Sequence, residues 1–279
     1  MTARLTAAGE GAGWQAHLQL GYRRRGDITI LAENSHRGPL RVQQPLYPEG
    51  GVCHTCILHP PGGVVGGDQL ALRLDVDRGA HALVTTPGAT KFYRCSGRGA
   101  VLHQRLRANA GRLEWLSQDT IVFPGADAEI VTEVFLDEAA SFIGWEVLCL
   151  GLPTRGERFD HGRLRSAIVL HRDGRPLFVD RLSVCSAADL DSPAGLRSLP
   201  VSATMLATGV EQDQLTGLAE LLPMEEGMLA AMTLQGDLLV IRCLGDSTFT
   251  VREVFQAVWR LLRPHLFGRP PCPPRIWST

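Results

Sequence analysis

Through much of the chain apolar and polar residues alternate at every second position. Leu70, Leu72, Leu74 and Val76 are spaced by Ala71, Arg73 and Asp75, the period of a strand with one buried face. Leu164, Ser166, Ile168 and Leu170 repeat the pattern; Asp173-Gly174 then predicts a tight turn and residues 177–184 a return strand. Residues 14–31 read as two strands around the charged tip Arg23-Arg24-Arg25-Gly26-Asp27. Further strands are expected at 81–86, 100–107, 112–116, 120–123, 129–136 and 141–150, broken at Asn109-Ala110-Gly111, Pro124-Gly125-Ala126 and Asp137-Glu138. A spacing of about ten residues per strand predicts a sandwich, a barrel or a solenoid, and no exact repeat is visible.

Beyond Val184 the texture changes. Residues 212–222 predict a helix, and 228–233 with 238–243 a strand pair turned at Gln235-Gly236-Asp237. Thr250 and Glu253 have capping-box spacing. Val251, Val254, Phe255, Val258, Trp259 and Leu262 then follow helical spacing up to Pro264, where the helix is expected to stop. The predicted organisation is a flexible N-terminus (1–13), a β-rich body (14–185) and a small two-helix α+β region (186–279) packed on it. That region includes an extended tail at 269–279, and the whole forms one structural domain.

Composition supports many tight turns, with 30 Gly and 17 Pro. They concentrate at His59-Pro60-Pro61-Gly62-Gly63-Val64-Val65-Gly66-Gly67-Asp68, a rigid loop rather than a linker. It lacks the G-x-x-x-x-G-K-[ST] and G-x-G-x-x-G patterns of nucleotide loops. A net charge of −1 gives no electrostatic case for nucleic acid or a membrane surface. No apolar run is long enough to span a bilayer, and the first residues lack a signal-peptide core. Seven cysteines, an odd number in a chain this long, read as reduced thiols of a cytoplasmic protein. Of 28 Lys and Arg residues, only Lys91 is lysine.

Strand phase singles out three carboxylates on apolar faces. Asp68 falls on the buried side of the strand that carries Leu70. Glu146 is buried whichever way its strand sits, because Phe142 and Leu148 share one face and Ile143, Trp145 and Val147 the other. Asp180 lies between Phe178 and Leu182. Each needs an arginine, a cation, water or a raised pKa. Structural ion pairing is the simpler reading for any one of them; three together point to an internal polar cluster. Cys53-His54-Thr55-Cys56 with His59 hints at metal ligands, but no second Cys/His pair follows at zinc-site spacing, and a plain strand is the simpler reading. Lys91-Phe92-Tyr93-Arg94 and Trp277 are candidate docking residues, with a core plug the alternative for Trp277. No G-x-S-x-G or H-E-x-x-H pattern supports a hydrolase.

Several segments together carry a family resemblance. They are residues 59–68, Thr85-Thr86-Pro87-Gly88-Ala89-Thr90-Lys91-Phe92-Tyr93-Arg94, Glu114-Trp115-Leu116 with Gln118-Asp119, Phe123-Pro124-Gly125-Ala126, Leu262-Arg263-Pro264-His265-Leu266 and Pro274-Arg275-Ile276-Trp277. In this order, over 14–279, the chain resembles the UreD urease accessory family, called UreH in some bacteria. The resemblance implies a mainly β, solenoid-like body with a few helices. It implies a scaffold without enzymatic activity that binds apo-urease and the accessory proteins F and G, the latter a GTPase. It implies nickel passing to the urease active site along an internal tunnel, with Asp68, Glu146 and Asp180 at the family's acidic tunnel positions. Nickel would be transient cargo, with no tightly bound cofactor. The rival readings are a nickel chaperone with its own stable site and a metal-dependent enzyme using Cys53, His54 and His59.

Overall fold

A computed structural model describes residues 13–222 and 227–278. The expected flexible stretch 1–13 therefore lies outside the described residues, apart from Gly13. The chain opens with an antiparallel hairpin of β1 (Gln15–Arg25) and β2 (Ile28–Arg37). Short β3 (Arg41–Val42) pairs with β4 (Cys53–Leu58). From β4 the chain alternates between two sheets. β5 (Gln69–Val76) joins the hairpin's sheet, β6 (His81–Thr85) returns to that of β4, and β7 (Thr90–Phe92) belongs to this second sheet too, off its main path. The circuit repeats through β8 (Ala100–Ala108), β9 (Arg112–Leu116), β10 (Thr120–Val122), β11 (Asp127–Leu136), β12 (Ser141–Leu152), β13 (Glu157–Arg158) and β14 (Arg163–Arg172).

Neighbours made this way are parallel: β5, β8, β11 and β14 in the first sheet, and β4, β6, β9 and β12 in the second. Cys53 lies beside Ala82, His81 beside Arg112 and Arg112 beside Ser141, so one circuit takes roughly thirty residues. Each return needs a crossover, which is why the turns carry Gly at positive φ, as at Gly62, Gly67, Gly79 and Gly125. β15 (Arg175–Val184) closes the first sheet against β14 through a turn with positive φ at both Asp173 and Gly174.

The C-terminal region extends the second sheet. β16 (Val201–Thr208) pairs antiparallel with β12, followed by β18 (Leu238–Gly245) and β17 (Met228–Gln235). Between β15 and β16 lies the short helix α1 (Ala187–Asp191). The helix expected over 212–222 is one 3-10 turn and the five-residue α2 (Leu215–Ala219), with Gly217 inside it and only Leu218 buried. The long helix is α3 (Thr248–Phe267). It starts before the predicted Thr250–Glu253 box because Ser247 is its N-cap and accepts the Thr250 N–H. It also passes Pro264: the missing N–H there costs one hydrogen bond, and the helix runs on until Gly268, in the left-handed conformation, donates to the Pro264 carbonyl.

Three layers result. One apolar core, with Leu18, Leu74, Leu106 and Phe142, lies between the two sheets. A second lies between the other face of the second sheet and α3, where Ile143, Trp145 and Val147 meet Val251, Phe255, Val258 and Trp259. The second sheet is thus covered on both faces, which is why both sides of β12 are apolar. The fold class is mainly β, as the strand spacing predicts.

Candidate functional site

A glutamate in a doubly covered strand must face one core or the other. Glu146 on β12 shares its face with Phe142 and Leu148, so it points between the sheets. Thr132 on β11 donates to its Oε1, and Gln104 Nε2 on β8 lies 3.5 Å from the same oxygen and 2.8 Å from Thr132 Oγ1. Its Oε2 is buried without a hydrogen-bond partner among the described residues. Burial, helped by the nearby charge of Asp180, pushes the Glu146 carboxyl up to about 7 against the favourable hydrogen bond from Thr132.

Asp180 on β15 is the next acid along. Its Oδ2 accepts from Thr204 Oγ1 at 3.0 Å, and its Oδ1 is 2.9 Å from Arg242 Nη2 at the more open end. A small cavity of about 30 Å³ joins Glu146 and Asp180, walled by Ser166, Ser202 and Thr204. On the other side of Glu146, a void of about 10 Å³ reaches Thr132, Gly144 and Trp115. Trp115 and Gln104 also line a larger cavity of about 290 Å³, with His59, Thr86 and Lys91. Trp115 Nε1 and His59 Nε2 are buried without partners among the described residues. The inter-sheet space therefore holds a discontinuous polar track from His59 past Gln104 and Thr132 to Glu146, Asp180 and Arg242.

Asp68 sits at the His59 end and is 1% exposed. Its two oxygens accept the Trp14 N–H at 2.7 Å and the Val65 N–H at 2.9 Å, so it braces the Gly-rich loop. Burial lowers the His59 pKa, and the Asp68 charge opposes that shift. The structure thus brings Glu146 and Asp180 together, while Asp68 lies apart in the Gly-rich loop and reaches the track by its charge on His59.

The other sequence candidates separate. Cys53 faces the inter-sheet core and lies 3.7 Å from the Tyr47 hydroxyl, whereas His54 points to the opposite face and pairs with Glu49 at 2.6 Å. His59 lies on the loop beyond. Cys53, His54 and His59 therefore form no common ligand group among the described residues, because consecutive strand residues point apart. Within 91–94, Phe92 is 1% exposed and belongs to the core, so it presents no docking surface. Tyr93 is exposed and leans on Phe123, Arg94 is exposed, and Lys91 lines the large cavity. Trp277 packs on Trp145 and Trp259, with ring centroids 6.0 and 5.7 Å away, so its indole lies against the helix-side core rather than standing free as an anchor.

One buried cluster is invisible to strand phase. On the helix side of the second sheet, Glu114 on β9 is fully buried. It accepts from His81 Nε2 at 2.7 Å, from Trp259 Nε1 at 2.6 Å and from Arg263 Nε at 2.9 Å. Arg263, also fully buried, reaches on to Glu49 at 2.6 and 2.9 Å and to the Pro270 carbonyl. Burial opposes ionisation of Glu114, but His81 and Arg263 outweigh it and hold the carboxyl below its usual range. Glu49 is likewise held down at about 2 by His54 and Arg263 despite partial burial. In the sequence, Glu114 and Arg263 stand out only through the segments that carry the family resemblance and through an arginine on the apolar face of α3.

Comparison with known proteins places this architecture. The family model described as UreD urease accessory protein matches residues 15–278. The urease accessory protein UreD of Pseudomonas putida strain GB-1 is 46% identical over 269 residues, covering 96% of this chain and 95% of the relative. That of Alcanivorax borkumensis is 42% identical over 279 residues, with 98% and 95% covered. The Klebsiella aerogenes protein of the same name is 43% identical over 269 residues, with 96% and 97% covered.

Proposed function

Starting from a chain that belongs to the UreD urease accessory protein family, we propose that it is a maturation scaffold that delivers nickel to urease. In this reading it binds apo-urease and the accessory proteins F and G in the cytoplasm. Nickel moves along the inter-sheet track as cargo, and the chain itself catalyses no reaction.

The observation that carries the reading is the unsatisfied polar lining of the inter-sheet space. Glu146 Oε2, Trp115 Nε1 and His59 Nε2 are all buried without partners among the described residues, beside a series of cavities. Buried polar groups are ordinarily hydrogen-bonded, so unpaired ones in sequence mark a path for something polar. Carboxylate, hydroxyl and amide oxygens suit a hard or borderline cation. A passing ion needs sites that bind weakly and in series, and Glu146 and Asp180 across a small cavity have that form. Asp180 can accept an ion arriving from Glu146 because Arg242, half-exposed at the open end, is able to swing away.

The test is urease activity and nickel content in cells that carry the urease subunits and the other accessory proteins, with and without this chain. Urease that is made but lacks nickel and activity without the chain supports the reading. Urease fully active without it refutes the reading.

A further inference from the structure

The helix-side cluster ends in a group that the inter-sheet track does not use. Glu49, His54 and Cys272 each offer one ligand atom, and these atoms lie within 4.8 Å of one another. They come from three parts of the chain: the loop before β4, β4 itself and the Pro-rich tail after α3. Each is held where it is. His54 lies on the outer face of β4 and is buried. Glu49 is fixed by Arg263 and His54. Cys272 follows Pro270, whose carbonyl is gripped by Arg263, so the ion-pair network that anchors α3 also sets the thiol beside the imidazole and the carboxylate. The cluster borders a cavity of about 610 Å³ lined by His54, Tyr47, Cys56, Pro273 and Pro274.

We propose that Glu49, His54 and Cys272 form a binding site for one borderline divalent transition-metal ion, separate from the inter-sheet track. A thiolate, an imidazole and a carboxylate in one place suit nickel, cobalt or zinc and do not suit calcium or magnesium. The ion takes the place of the proton between His54 Nε2 and Glu49 Oε1, which lie 2.6 Å apart; the imidazole is left neutral with its one proton on Nδ1, and any proton displaced beyond that goes to solvent. The Cys272 thiol loses its proton to solvent on binding, and water from the cavity fills the remaining position. Charge balances: the carboxylates of Glu49 and Glu114 and the Cys272 thiolate offset the divalent ion and the Arg263 guanidinium. Because Arg263 keeps both carboxylates oriented, it is the positioning residue of the site.

The test adds Co²⁺ alone to the purified full-length chain and reads the near-ultraviolet thiolate-to-metal absorption band. The expected result is a band that saturates at one ion per chain, is lost in Cys272→Ser and persists in Cys56→Ser. Ni²⁺ competing for the same site weakens at least tenfold in His54→Gln. Glu146→Gln leaves the band unchanged, which keeps this site distinguishable from the delivery track. Absence of a band, its survival in Cys272→Ser, or its loss in Cys56→Ser or Glu146→Gln overturns the proposal.

Discussion

Glu114 and Glu146 are both buried glutamates on neighbouring strands of one sheet, yet they live in opposite environments. Glu114 faces α3, where Arg263, His81 and Trp259 donate to its two oxygens. Glu146 faces the other sheet, where Thr132 and Gln104 serve one oxygen and the second has no partner. Burial acts on both alike and favours the neutral acid. Hydrogen bonds from charged and polar donors decide the outcome: Glu114 is held ionised, and the Glu146 carboxyl is raised to about 7. A buried carboxylate with every lone pair engaged is a rivet, whereas one with a free oxygen beside a cavity is a place for something to bind.

The comparison breaks most severely at Arg263. Arg263→Met leaves Glu114 and Glu49 buried without their cation, a loss of about 3–5 kcal/mol. Thermal or urea unfolding of the purified chain should show it, and adding Glu114→Gln in the same background should recover part of it. An unchanged midpoint in Arg263→Met would mean that the network does not anchor the helix.

Glu146 has the opposite pH signature. Its folded pKa of about 7 lies above the ordinary value of 4.5, so the proton is held more tightly in the folded chain. The associated stability is present below the ordinary value and is lost as pH rises through about 7. Integrated over that range the effect is about 3 kcal/mol. Glu146→Gln should flatten the decline in stability between pH 5 and 8 expected of the parent chain, as read from urea midpoints across pH. An identical slope in the two proteins would place Glu146 in a better-satisfied environment than the geometry gives. For Glu114 the sign reverses, and its contribution is lost only as pH falls through its lowered value.

Smaller changes sharpen the contrast. Trp259→Phe removes one donor to Glu114 and keeps the ring, so a loss of about 2 kcal/mol is expected in unfolding. Arg242→Ala removes the partner of Asp180 at the half-exposed end, where an ion pair is worth under about 1 kcal/mol, and should barely move the midpoint. A large loss there would make the inter-sheet acids structural as well.

The sequence announces one of these regions and conceals the other. Period-two alternation and the Asp173-Gly174 turn are local signals, so β5, β14 and β15 were readable residue by residue. The long β12 let strand phase bury Glu146 on either face. Glu114 sits in a five-residue strand, too short for phase to speak, and its partner Arg263 is 149 residues away. β16 was not anticipated: Val201, Ala203, Met205 and Ala207 alternate with Ser202, Thr204, Leu206 and Thr208, but its small residues make that contrast weak. The winding of parallel strands depends on pairs roughly thirty residues apart, which no local pattern encodes. Thr250 and Pro264 misled at the ends of α3: Ser247 is itself a preferred N-cap residue and takes that place, and at Pro264 the helix runs on with one hydrogen bond fewer.

The most direct test of the central claim, that the inter-sheet acids carry nickel while the helix-side network carries structure, is the nickel content of urease purified from cells in which Glu146→Gln replaces the parent chain. The account predicts that the variant still assembles with urease and the accessory proteins and that urease nickel falls severalfold. Full nickel loading with Glu146→Gln in the assembled complex would contradict it.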